Sequence, residues 1–313
     1  MQQILVNAVI KILKKAGFKV TDVIETKPRC FDIVARKDDT VLLLKVLYNI
    51  DSLKYEMAEE MKNIAKLLKA SPIIIGERFK LNYLERGVVY NRYGLPAINT
   101  ATFYDFIIEG ISPIIYAGPG GYYVKLDSEK LREMREKLGI SLGEMAKLLG
   151  VSRRTVKKYE EGIDTSIETA LKIEEILGTH VIKAIDILNF VKKNDVITGK
   201  EPEFSEEEAK IVEQLKDIGV EVYPIKHAPF DIVSKADDEK ILTGVRQVRE
   251  IDKRAMILGK ISEVLSTKAA YIVEKKIKVN VSSVVFVMKD ELECVSSAKD
   301  FITLLHEKLS VKN

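Results

Sequence analysis

Between Ser141 and Gly162 the chain reads Ser-Leu-Gly-Glu-Met-Ala-Lys-Leu-Leu-Gly-Val-Ser-Arg-Arg-Thr-Val-Lys-Lys-Tyr-Glu-Glu-Gly, an order that few local structures accommodate. Ser141 and Ser152 each stand where a hydroxyl can accept an orphan amide of a helix's opening turn. Leu142, Met145, Ala146 and Leu149 recur at helical spacing after the first cap. Ala146 is small where a second helix must cross closely. Gly150 falls where the chain reverses, and a left-handed backbone there is cheap only without a side chain. The second helix runs to Tyr159 with Val156 and Tyr159 inward, and Gly162 stops it. Its outer face carries Arg153, Arg154, Lys157 and Lys158, with no acid from Val151 to Tyr159.

The flanks extend the pattern to four helices. Glu129 to Gly139 predicts one with Leu131, Met134 and Leu138 on one side. Ser166 to Gly178 predicts another, with Ile167, Ala170, Leu171 and Leu177 among its apolar positions. A basic helix face alone usually means solvation. Here cap, small residue, turn glycine and a one-signed second helix coincide. From Leu131 to Gly178 the chain resembles the Cro/CI-type helix-turn-helix family, with Ser141, Ala146, Gly150, Val151, Ser152, Val156 and Glu161-Gly162 on its pattern. The resemblance implies a recognition helix at 152–160 in the DNA major groove. Arg153 and Arg154 would then reach base edges, Lys158 a base or a phosphate, and Ser141, Ser152, Thr155 and Lys157 phosphates. The family often has a glutamine after the first cap that touches a phosphate. Leu142 stands there, so that contact is either missing or made by the Ser141 hydroxyl and the helix N-terminus.

With 313 residues the chain is long enough for two or three domains. Its net charge of +3 is slight for a nucleic-acid binder, so attraction must come from local patches. Two cysteines, Cys30 and Cys294, are too few for a disulfide framework or thiolate metal site. His180, His227 and His306 lie far apart and read as structural, so no metal or cofactor is expected. Met1 to Ala16 is amphipathic and interrupted by lysines, unlike a signal peptide, and apolar runs such as Pro72–Ile75 are too short to span a bilayer. The expectation is a cytoplasmic protein with no membrane partner.

Outside the helical segment one element order occurs twice. In the first occurrence a helix at Ile4–Ala16, with Ile4, Val9, Ile12 and Leu13 inward, ends at Gly17. Strands follow at Phe18–Ile24, Cys30–Ala35 and Thr40–Leu47, the last two joined through Arg36–Asp39. The third strand is nearly all apolar and so should be central. A helix at Ser52–Lys69, a strand at Pro72–Ile75, mixed structure over Arg78–Gly94 and a closing helix at Thr102–Ile108 complete it. In the second, a helix at Glu206–Ile218 precedes strands at Val220–Tyr223, Phe230–Asp238 and Ile241–Val245. A helix at Asp252–Ser266, a strand at Ala269–Val273 and a closing helix at Ser297–Glu307 follow. Phe31-Asp-Ile-Val matches Phe230-Asp-Ile-Val, each followed by a pair of acids. Ile111–Tyr123, rich in Pro and Gly, reads as a connector and Lys192–Glu208 as a second linker.

Helix, strand, Asp-bearing hairpin, Lys-bearing strand, helix and strand resembles the restriction-endonuclease-like fold of archaeal Holliday-junction resolvases. Asp32 and Lys45 sit like the Asp and Lys of an Asp…Glu-x-Lys site, in which two carboxylates hold Mg²⁺. Leu43 replaces the glutamate. In the second occurrence Asp231 is kept, while Leu242 and Gly244 stand for Leu43 and Lys45. The resemblance therefore implies a nuclease scaffold with no catalytic residue. Arg92–Asn99 and Tyr116–Val124 add a similarity to a group of archaeal helix-turn-helix regulators.

The expected architecture is multidomain, α/β plus all-α: degenerate nuclease-like units at 1–118 and 196–313 flanking a helix-turn-helix bundle at 119–195. The expected function is a homodimeric, sequence-specific, double-stranded-DNA-binding transcriptional regulator with no enzymatic activity. The nuclease-like units would serve dimerisation or sensing, and the transcription machinery is a further candidate partner. The alternatives are a structure-specific nuclease or resolvase, and a non-catalytic adaptor.

Overall fold

The computed structural model describes residues 1–25, 29–191, 204–237, 239–246, 250–275 and 281–310. The elements begin with α1 (Gln2–Lys15), β1 (Lys19–Val20), β2 (Ile33–Lys37), β3 (Thr40–Asn49), α2 (Tyr55–Leu68) and β4 (Ser71–Phe79). Then come β5 (Asn82–Tyr83), β6 (Val88–Arg92), β7 (Leu95–Ile98), α3 (Thr100–Ile108), β8 (Ile115–Gly118) and β9 (Gly121–Leu126). The helical segment holds α4 (Ser128–Lys137), α5 (Leu142–Leu149), α6 (Arg153–Glu160), β10 (Thr165–Ser166), α7 (Ile167–Leu177) and β11 (Ile182–Lys183). The remainder is α8 (Glu206–Asp217), β12 (Glu221–Pro224), β13 (Ile232–Ala236), β14 (Glu239–Gly244), α9 (Ile251–Leu265), β15 (Lys268–Val273), β16 (Val285–Met288), α10 (Lys289–Glu293) and α11 (Ala298–Ser310).

The chain divides into two compact units. One comprises Met1–Leu47, Ser52–Ile73 and Val191–Asn313; the other comprises Tyr48–Asp51 and Ile74–Phe190. The expected second linker falls largely on 192–203, which, with the boundary at 195/196, lies outside the described residues. Asp238, in the matched pair of acids, also lies outside them.

In the first unit, β1 pairs antiparallel with β2 and β2 with β3 through a tight turn at Asp38, whose φ of 52° is tolerable for Asp. β3 is central, as its apolar run requires: Leu42, Leu43, Leu44 and Val46 are fully buried. Helix α1 buries Leu5, Val6, Val9, Ile12 and Leu13. Ile4 is not inward but 73% exposed, because five residues of helix leave it roughly 140° round from Val9. The expected strand at Phe18–Ile24 shrinks to two paired residues, and the one expected from Cys30 starts at Ile33. The rest of this unit forms a sheet in the order β12-β13-β14-β15-β16, antiparallel through β14 and parallel thereafter. Its core joins Ile211 and Leu215 of α8 to Phe301 and Leu305 of α11. β16 and α10 were absent from the sequence reading.

Residues 30–31 and Glu60 of this unit contact residues 226–230. Phe31 and Phe230 lie with ring centroids 6.4 Å apart, and the Cys30 amide donates to the His227 carbonyl at 2.8 Å. The Glu60 carboxylate accepts from the Lys226 amide and meets the His227 ring.

In the second unit the sheet runs β4-β7-β6-β8-β9-β10, with β11 also paired to β9. Two expectations change here. Ile111–Tyr123 is not a plain connector, because β8 and β9 form a hairpin with Pro119-Gly120 at its turn. The proposed boundary at 118/119 would cut that hairpin, whose Ile115 packs on the helical core. Helix α3 lies in this unit and α11 in the other. No helix among the described residues is long and apolar enough to cross a membrane.

Candidate nucleic-acid interface

Strand β9 anchors the helical segment. It pairs with β10, Thr165 opposite Val124, and with β11, Ile182 opposite Leu126. The loop after α6 is braced by Tyr116, whose hydroxyl donates to Asp164 at 2.6 Å. Helices α4 to α7 close over a core of Leu131, Met145, Ala146, Leu149, Val156, Tyr159, Ala170, Ile173 and Leu177. Leu138 and Leu171, expected inward, are 49% and 54% exposed. Leu138 caps the end of α4, past its last full turn, and Ile173 rather than Leu171 fills the inner face of α7.

Local chemistry fixes the turn between α5 and α6. Ser141 Oγ accepts from the Glu144 amide at 3.1 Å, while Glu144 Oε2 accepts from the Ser141 amide at 2.8 Å. This reciprocal cap satisfies two orphan amides. The Ser141 hydrogen bonds hold the Glu144 carboxyl below its ordinary value. Gly150 ends α5 in the left-handed region at φ 68°, and its amide returns to the Ala146 and Lys147 carbonyls. Ser152 Oγ then accepts from the Thr155 amide at 3.1 Å and lies 2.8 Å from the Thr155 hydroxyl.

These caps aim α6. Val156 and Tyr159 are buried, so Arg153, Arg154, Lys157 and Lys158 occupy an outward arc of about 140°. All four are exposed. Lys157 lies 3.7 Å from Glu161, one turn on; among the described residues the other three pair with no acid. Ser141 and Ser152 are exposed and Thr155 half-buried, so each expected contact residue is placed in this one segment.

Two features escaped the sequence reading. Glu144 was legible, since Ser-x-x-Glu is the signature of a reciprocal cap, and its carboxylate occupies the amide end that a phosphate would otherwise approach. The other is Arg135 on α4. Its Nε donates to Glu160 at 2.5 Å and its Nη1 to the Ile140 carbonyl at 2.8 Å, tying α4 to the end of the basic helix.

The nuclease-like residues are arranged differently. Asp32 is 2% exposed; its Oδ1 accepts from Arg29 Nε at 2.5 Å and Lys45 Nζ at 3.3 Å, and its Oδ2 from the Val46 amide at 2.8 Å. Leu43 is fully buried and offers no oxygen. Asp231, wholly buried, accepts from the Val245 and Arg246 amides at 2.9 and 3.1 Å and from Arg254 at 2.7 Å. At Gly244 a Cβ would meet the Tyr271 ring at 2.5 Å, so that ring fills the space a lysine stem would need. Both carboxylates serve as internal partners for cations and amides. These residues do not fit a hard divalent cation, which needs free oxygens from at least a second group. No three His, Cys, Asp or Glu side chains cluster as ligands among the described residues. His180 meets Glu174 at 3.1 Å, His306 meets Lys268 at 2.7 Å, and burial pushes the Cys30 thiol up.

Comparison with known proteins agrees with both readings. Residues 2–113 match the family described as PD-(D/E)XK superfamily domain, and residues 131–182 match the helix-turn-helix family. No solved structure matches. A protein of Archaeoglobus fulgidus named "Putative HTH-type transcriptional regulatory protein" is 66% identical over 304 residues, 97% of each chain. Proteins of the same name from Methanococcoides burtonii and Methanospirillum hungatei are 40% and 39% identical, over 98% and 97% of this chain and 97% and 99% of theirs. Identity of this degree along nearly whole chains means that the protein belongs to this archaeal family of helix-turn-helix transcriptional regulatory proteins.

Proposed function

We propose that the protein regulates transcription by binding double-stranded DNA sequence-specifically as a homodimer, with residues 152–160 in the major groove. The outward arc of Arg153, Arg154, Lys157 and Lys158 carries this reading. Arg153 and Arg154 occupy the first turn, where a recognition helix meets base edges, and a guanidinium forks onto guanine O6 and N7. Lys158 reaches a base or a phosphate. Lys157 and the hydroxyls of Ser152 and Thr155 contact phosphates, which fix register without reading sequence; Ser141, expected to join them, is instead engaged with the Glu144 carboxylate as the cap of α5. One such segment reads only a few base pairs, so two-fold pairing is needed for specificity. The Phe31 face already meets Phe230 in its own chain, so the protomers join through other surfaces.

Residues 204–310 are read as a second copy of the nuclease-like unit, Asp231, Leu242, Gly244 and Val245 standing for Asp32, Leu43, Lys45 and Val46. In support, each aspartate accepts from the amide fourteen positions on, at 2.8 and 2.9 Å. Neither copy cleaves DNA; both brace the chain. Selecting bound sequences from random duplexes, then weighing the complex, tests the reading. It predicts one enriched site, affinity that falls steeply with salt, and two chains per duplex. No enrichment and salt-independent binding would leave the adaptor reading standing. Mg²⁺-dependent cleavage would favour a nuclease.

A further inference from the structure

The first unit contains a cavity of about 190 Å³ that the DNA-binding reading does not use. Its lining brings together Arg36, Lys69 and Lys240 against one acid, Asp39. Two of these cations have an ordinary explanation. Arg36 donates to the carbonyl of Leu265, the last residue of α9, and Lys69 caps the end of α2. Cations are favoured at such helix ends by the partial negative charge of unpaired carbonyls.

Lys240 has no such explanation. It lies on β14, half-buried, and pairs with no acid among the described residues. Burial holds its ammonium below the ordinary lysine value, and the neighbouring positive charges of Lys69 and Lys235 lower it further. A charge held against its own kind, in a cavity that gathers three cations and one acid, is relieved by a negatively charged occupant.

We propose that this cavity is an anion site for a small phosphate-bearing ligand, held by Lys240 and Lys69 with Arg36 beside them. Size limits the occupant. The volume of about 190 Å³ lies below the roughly 300 to 1,000 Å³ of pockets for drug-sized ligands and suits a phosphate group with little attached. Lys69 belongs to the 52–73 stretch and Lys240 to the 191–313 stretch, so the bound anion links sequence-distant parts of one unit. That makes it a stabilising ligand by mass action.

Titration calorimetry of the full chain with inorganic phosphate, at ionic strength held constant with chloride, tests this. The expected result is saturable binding at one site per chain. Lys240→Met and Lys69→Met should each weaken it by about tenfold or more, the scale of one charged hydrogen bond. Lys11→Met, on the exposed side of α1, should leave it unchanged. Lys240→Arg, which keeps the charge, should retain binding and guards against a misfolded Lys240→Met. Absence of saturable binding, or binding by Lys240→Met and Lys69→Met equal to that of the unaltered chain, would overturn the proposal. The readout involves no DNA, so it stands or falls apart from the regulator reading.

Discussion

Arg135 Nε and Glu160 Oε1 lie 2.5 Å apart, with side chains only 9% and 8% exposed. This pair fixes α4 against the end of α6 and so sets the tilt of the basic helix. Removing one partner strands the other charge in a site with little water. Arg135→Met alone should therefore destabilise the helical segment by about 3 kcal/mol, and Arg135→Met with Glu160→Leu by much less. Denaturant melts of the single and double variants check this.

The two glycines that matter fail for different reasons. At Gly150 an added Cβ would meet nothing within 4 Å, but φ is 68°. Gly150→Ala should cost about 1–2 kcal/mol, purely from left-handed backbone. At Gly244 a Cβ would sit 2.5 Å from the Tyr271 ring. Gly244→Ala should cost about 1–3 kcal/mol by overpacking. Shortening Tyr271 to Leu should relieve the second cost and leave the first untouched, as paired melts would reveal.

Acid should loosen the start of α5. Glu144 titrates below its ordinary 4.5 in the folded chain because the Ser141 amide and hydroxyl bind its carboxylate. A depressed folded value means that the stabilisation is complete above about 4.5 and disappears as pH falls through the folded value. Melting temperatures of the unaltered chain and Glu144→Gln should differ at pH 7, and the difference should shrink as pH falls below about 4.5. A gap that does not shrink with acid would show that the cap acts without the charge.

Asp32 should behave as a structural residue. Asp32→Ala removes the partner of Lys45, itself 7% exposed, and of the Val46 amide at 2.8 Å. The expected loss is about 3 kcal/mol of stability. DNA incubated with Mg²⁺ or Mn²⁺ should remain intact with either protein. Cleavage by the unaltered chain that Asp32→Ala abolishes would assign the residue to catalysis instead.

The legible parts of the molecule were those specified by near neighbours. Ser141, Gly150 and Ser152 act on residues within four positions, so α5, the turn and α6 could be read directly. The capping role of Glu144 is equally local, three positions from Ser141. Arg135 meets Glu160 across 25 residues, and neither a period nor a motif marks such a pair. β10 and β11 have two residues each, too few to show alternation. Pro119-Gly120 signalled a turn correctly, but a turn signal does not say whether strands flank it. The Phe31 and Phe230 motifs were visible as a match, whereas their contact with each other was not.

The most direct test is the affinity of the full chain and of Arg154→Ala for the selected duplex and for each single-base variant of it, followed by fluorescence anisotropy at fixed salt. Base readout by α6 predicts that Arg154→Ala loses about 1–3 kcal/mol on the selected duplex and ceases to discriminate at one base position. An equal loss on every duplex, or none on any, would contradict it.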